Sequence, residues 1–284
     1  MECRILGPLE CLDCGVALPV GAPRHQKVLA RLVIGAGRVV PLWSLVAAVW
    51  DRDPPASSAR LIRNAVSDLR VAWMAMATVD PSRVIVTEGD GYLLRLGPGS
   101  LDAQRFDRGL AGAATAYGQG DLPAAARLLR SALALWRGSA FAGLAGPVFA
   151  AAAARWEERR LLAWQRLVAA ELALGGHHEL LGELTALAAE HPYHEAFAGQ
   201  LMVALYRCGR QADALSVYAR LRRCLVEDLA IEPGEELARL HLAILRREAT
   251  ATGWDGNGMA QGSARSALGP RATTALAVQK GGST

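Results

Sequence analysis

Gly97-Pro98-Gly99 divides the chain into two stretches of different periodicity, and no single layered architecture accommodates both. Before the break, short strand-like runs alternate with helical segments. After it, apolar residues recur at helical spacing to about Ala249. The break predicts an α+β domain over residues 1–97 followed by an all-α domain over 98–249.

In the first stretch, Cys3 to Gly7 and Leu9 to Leu12 are extended runs around Gly7-Pro8, and Val16 to Val20 follows a Gly15 turn. A helix fits residues 26–34, with Val28, Leu29, Leu32 and Val33 on one face. A second fits 42–50, and Asp53-Pro54-Pro55 stops the chain after it. Ser57 or Ser58 can cap a third, longer helix. Beyond Pro81, the runs Val84 to Glu88 and Tyr92 to Leu96 flank Gly89-Asp90-Gly91, a hairpin signature. Small sheet, three helices and hairpin, in that order, predict a winged helix of the response-regulator effector type.

In the second stretch the helices break at residues 118–120, 138–146, 175–176, 191–192, 209 and 233–234. Leu174-Gly175 and Cys208-Gly209 lie 34 residues apart, the tetratricopeptide period, so helix pairs of that kind are expected. Residues 250–284 are rich in Gly, Ala, Ser and Thr without a period, and a flexible tail is expected there.

The face of the third helix carries the functional argument. At about 100° per residue, Leu61, Ile62, Ala65, Val66, Leu69 and Trp73 fall on one side. Arg60, Arg63, Asn64, Ser67, Asp68 and Arg70 fall on the other. One side can seal against a domain while the other enters a major groove. Arginine pairs with guanine O6 and N7, and asparagine with adenine N6 and N7. Arg24 and Lys27, near the start of the first helix, are candidates for phosphates, where contacts position rather than specify. A charged face is common on any surface helix; the strand–helix–hairpin order around this one is what points to nucleic acid.

Composition narrows the alternatives. Apolar residues make up 52% and charged residues 20%, which suits folded domains. No run approaches about 18 uncharged apolar residues, and Glu2 and Arg4 follow Met1 where a signal peptide would turn apolar. A cytoplasmic protein without membrane partners is expected. Five cysteines, an odd number, predict reduced thiols. Cys11 and Cys14 have half of a zinc spacing without its second half, and His177, His178, His191 and His194 have no ligand set around them. No phosphate-binding loop, hydrolase elbow or zinc-protease motif occurs. Neither an enzyme nor a cofactor is expected. Net charge is +4, and residues 1–97 carry 11 basic and 9 acidic side chains. Such a balance permits a nucleic-acid partner without announcing one.

Several segments carry a family resemblance. Met1 to Glu10, Val39 to Trp50 with Pro54-Pro55, Val66 to Arg70 and Gly91 to Arg95 resemble the SARP/AfsR family of antibiotic-pathway activators. Ala132 to Gly138 and Leu201 to Tyr218, continuing to Ile231-Glu232-Pro233-Gly234, resemble that family's bacterial transcriptional activation domain. The resemblance covers about residues 1–249. It implies an activator that binds direct repeats near a promoter as a side-by-side dimer and recruits RNA polymerase. The loop at Asp51, Arg52 and Asp53 is the implied polymerase contact. Arg83 and Arg95 are the basic candidates on the implied wing.

The sequence also departs from the family pattern. Asp68 stands where arginine is usual, and Glu88 and Asp90 where basic residues are common. An interaction protein or antagonist, pairing with a homologous regulator and binding no DNA, is the alternative these acids raise. Ala230 replaces a usual turn glycine and costs about 1 kcal/mol if that position needs a positive φ.

Overall fold

The computed structural model describes residues 1–248; the tail expected over 250–284 lies outside the described residues. The chain forms two compact units, one over Met1–Leu180 and one beginning at Leu181.

The first unit opens with an antiparallel sheet of β1 (Glu2–Arg4), β2 (Glu10–Asp13) and β3 (Val16–Leu18). Cys3 lies opposite Cys11, and Cys11 opposite Leu18. All three are buried, as the period-2 alternation of a one-sided sheet requires. Helix α1 (Pro23–Ile34) starts three residues earlier than the apolar spacing suggests, because Pro23 occupies a first turn that has no N–H bond to lose. Helix α2 (Leu42–Trp50) and helix α3 (Ser58–Met74) follow. Ser57 is the N-cap of α3, but its side chain makes no capping bond.

Where a strand was expected from residue 84, the chain first makes one helical turn, α4 (Pro81–Val84). Asp80 caps that turn by accepting from the Ser82 amide at 2.9 Å. The hairpin of β5 (Ile85–Glu88) and β6 (Gly91–Leu94) gains a third member, β4 (Val39–Pro41), giving the order β4-β6-β5. A Cβ at Gly91 would lie 2.5 Å from the Val40 carbonyl oxygen, so only glycine lets β6 pass this close to β4. Two small sheets around three helices have the order and pairing of a winged helix.

Compaction does not stop at the Gly97-Pro98-Gly99 break. The free side of β1 is closed by later residues: the Cys3 amide donates to the Ser100 carbonyl at 2.7 Å, and Cys3 bridges Leu101 in parallel. The Arg137, Phe141 and Ala142 amides donate to the carbonyls of Leu6, Ile5 and Gly7. Asp102, 1% exposed, accepts from the Ile5 amide at 2.9 Å and the Leu6 amide at 3.0 Å. Burial pushes its carboxyl above the usual carboxylate range, against the backbone donors and Arg137, which favour the charged form.

Behind this sheet, α5 (Asp102–Gly118) and α6 (Leu122–Leu133) form an antiparallel pair, and α7 (Pro147–Ala173) packs on α6 and against α1 and α2. Phe106 is fully buried and meets the edges of Trp136 and Trp156, with ring centroids at 5.5 and 6.4 Å. These tryptophans are packing residues.

The second unit is helical: α8 (Leu181–Glu190), α9 (Glu195–Arg207), α10 (Gln211–Leu229) and α11 (Glu235–Leu245). Helix α9 is its core, buried continuously from Phe197 to Leu205. Ala230 ends α10 at φ 55°, ψ 33°, the left-handed conformation that favours glycine. Among the described residues no helix is long and apolar enough to cross a membrane.

Candidate nucleic-acid interface

Helix α3 is two-faced, as its sequence requires. Ile62, Ala65, Val66, Leu69 and Trp73 are no more than 2% exposed. Trp73 also donates its indole N–H to the Pro19 carbonyl at 2.9 Å, which ties the helix to the segment after the first sheet. Asp13 fixes the chain just past the helix, accepting from the Thr78 hydroxyl at 2.7 Å and from the Thr78 amide. Those donors, together with the Met1 ammonium at 3.1 Å, lower the Asp13 carboxyl to about 2.

On the opposite face Arg60, Arg63, Asn64, Ser67 and Asp68 are exposed. Arg70 is not presented with them. Its guanidinium turns to the hairpin, donating to the Ile85 carbonyl and to the Thr87 hydroxyl at 3.0 Å, and lies 5.8 Å from the Tyr92 ring centroid. Periodicity gives the side on which a residue leaves a helix; the direction a long side chain then takes depends on acceptors that a nonlocal strand supplies. Asp68 points to α1, where its Oδ2 lies 3.1 Å from His25 Nε2. The sequence carried no signal of this pair, since the two residues belong to different helices.

The phosphate candidates separate similarly. Lys27 is half-buried and donates to the Val49 carbonyl at 3.3 Å, near the end of α2. Arg24 is exposed over Trp50, at 5.5 Å from the ring centroid. Arg83 stands 83% exposed, with Asp80 at 4.0 Å. Arg95 is exposed just beyond β6. Glu88 and Asp90 are exposed at the hairpin turn, and the Asp90 carbonyl accepts from the Leu42 amide at 2.9 Å. Asp51, Arg52 and Asp53 project from the loop between α2 and α3, where Asp51 and Asp53 hold positive φ angles of 56° and 54°.

Residues 101–245 match the bacterial transcriptional activator domain. The chain belongs to the SARP/AfsR family of transcriptional activators. It is 38% identical to regulatory protein AfsR of Streptomyces coelicolor over 245 residues, covering 86% of this chain and 24% of AfsR. It is 36% identical to regulatory protein DnrI of Streptomyces peucetius over 263 residues, covering 91% of this chain and 96% of DnrI. A solved structure of Mycobacterium tuberculosis EmbR in complex with a low-affinity phosphopeptide superposes with a TM-score of 0.84 at 33% identity, over 90% of this chain and 69% of EmbR. This SARP/AfsR member thus spans about a quarter of AfsR and nearly all of DnrI. AfsR and DnrI are named as regulatory proteins and EmbR as a transcriptional regulatory protein.

Proposed function

We propose that this protein is a cytoplasmic, sequence-specific DNA-binding activator, a pathway regulator of a secondary-metabolite gene cluster. The observation that carries the reading is helix α3, sealed on one side and open along Arg60, Arg63, Asn64 and Ser67. Docked in a major groove, that open side offers base edges two arginines and an asparagine. Arg24, Arg83 and Arg95 would meet phosphates, and Lys27 would do so after leaving the Val49 carbonyl. Arg70 supports the reader from behind by bracing the hairpin.

Double-stranded direct repeats near a promoter would seat two copies side by side as a homodimer. The Asp51, Arg52 and Asp53 loop would face RNA polymerase, with no cofactor required. In the helical part, the same bond pattern closes three helices: the Asp121, Gly176 and Arg210 amides each donate to a carbonyl five residues back. This recurrence and the 34-residue spacing support a tetratricopeptide-like reading of residues 98–249, with 1–97 as the DNA-reading domain.

A mobility-shift titration on promoter duplexes of the protein's own gene cluster tests the proposal. Binding to a direct repeat, with affinity falling steeply as salt rises, is the expected result. Absence of any shift at low salt would instead assign the protein the role of an interaction partner or antagonist of a homologous regulator.

A further inference from the structure

The groove-facing side of α3 holds one carboxylate, and its position gives it a task. Arg60, Asn64 and Asp68 follow at four-residue steps, so they form a row spaced by about 6 Å along the axis. Arg60 and Asn64 are exposed, and the Asp68 side chain is 66% exposed. A free carboxylate in such a row would swing toward the phosphates or away from them, and would lose by repulsion. Asp68 is not free to swing. Its Oδ2 is held at 3.1 Å by His25 Nε2, from a ring that is 22% exposed.

His25 is itself placed by the backbone before it. Gly21 sits at φ 72°, and a Cβ there would come within 2.9 Å of the His25 Cβ. The missing side chain leaves room for the imidazole. The same turn is tied by Gln26, whose amide donates to the Gly21 carbonyl at 3.0 Å. With Oδ2 held, Oδ1 makes no hydrogen bond among the described residues and remains an acceptor, about one helical turn from Asn64.

We infer that Asp68 is a base-reading residue that selects cytosine, and that His25 is its positioning residue. The inference rests on α3 being the reading helix, as proposed above. In the major groove guanine shows two acceptors, thymine an acceptor and a methyl group, and adenine a donor beside an acceptor. Cytosine alone presents a donor, its N4 amino group, with no acceptor next to it on the same base. A fixed carboxylate oxygen accepts from that amino group and is repelled by the acceptors of the other three. The acid therefore adds a base to the recognised sequence.

The test uses the full chain. Duplexes are selected from a random library. Competition binding then compares the selected site with duplexes in which each position carries the other base pairs. Wild type is expected to require cytosine at one position, with a preference of about 5- to 150-fold, the range of a good base contact. Asp68→Ala should flatten that position to about 2-fold or less and leave the others unchanged. Asp68→Asn should move the preference there toward adenine, which an amide recognises through N6 and N7. His25→Ala should reduce the preference at that position alone with an unchanged salt slope, and His25→Gln, which keeps an N–H donor, should restore much of it. A merely structural histidine would lower affinity for all sequences equally.

Asp68→Ala that keeps every base preference, or that tightens binding to all duplexes alike, overturns the inference and leaves the proposed function standing. His25→Ala that leaves the cytosine preference intact overturns the positioning role. Wild type that selects no sequence overturns both the inference and the proposed function.

Discussion

Replacing Asp102 with alanine removes the acceptor that closes the first sheet onto α5. The Ile5 and Leu6 amides, on residues 2% and 0% exposed, would lose their partner. An orphaned buried donor costs about 1–3 kcal/mol, so the pair sets a loss of about 2–6 kcal/mol. Part of this is offset, because Asp102 is a desolvated charge and its removal relieves that penalty. The expected net loss is about 2–4 kcal/mol. Asp102→Asn keeps one carbonyl oxygen but sets an amide N–H against a backbone donor, so it should lose about half as much. Six of the seven tryptophans lie within residues 1–180, so intrinsic fluorescence in urea reports mainly the first unit. The midpoint for the alanine variant should drop by about 1–2 M with an unchanged slope, and the Ile5 and Leu6 amides should exchange faster. A midpoint within about 0.3 M of wild type, with both amides still protected, would refute the idea that this carboxylate joins the sheet to the helix.

Arg70→Ala should lower the stability of the first unit by about 1.5–3 kcal/mol, the worth of charge-assisted bonds to Ile85 and Thr87. In binding assays it should weaken all duplexes alike; a change of preference at a single base would make Arg70 a reader. Ala230→Gly relieves a left-handed alanine and should raise the stability of the second unit by about 0.5–1 kcal/mol. Hydrogen exchange of α10 amides measures it, and unchanged protection counts against strain at that turn. Asp13 titrates lower in the folded chain than in the unfolded one, so its contribution is complete above the ordinary carboxylate range and lost as pH falls toward about 2. Asp13→Asn should therefore destabilise at neutral pH and converge with wild type in acid denaturation; a difference independent of pH would contradict the assignment.

The parts of the fold legible in the sequence are those set by local periodicity. The two-faced α3, the hairpin around Gly89 to Gly91 and the glycine-ended helices all follow from residues within a turn or two of each other. What was hidden depends on distant partners. Strand β4 has three residues and exists because β6 passes beside it. The one-turn α4 is the exception, since its signal is local, the Asp80 cap ahead of Pro81, but lies outside any apolar pattern. Within the candidate interface, Arg60, Arg63, Asn64 and Ser67 stand exposed on the side that spacing assigns them. The withdrawal of Arg70, the capture of Lys27 by the Val49 carbonyl and the His25–Asp68 pair require knowing which acceptors a second element brings within reach.

The closure of β1 by Ser100, Leu101 and the segment from Arg137 to Ala142 bears on how such proteins can be recombined. A chimera joined at Gly97 would keep β2 beside β1 but set the other side of that strand against a relative's versions of the closing residues, and a poor fit there would leave a backbone edge able to recruit strands from other molecules. A crossover after Leu180 transfers the strand together with the residues that finish it. The natural seam for exchanging DNA specificity between relatives therefore lies some eighty residues beyond the glycine–proline break.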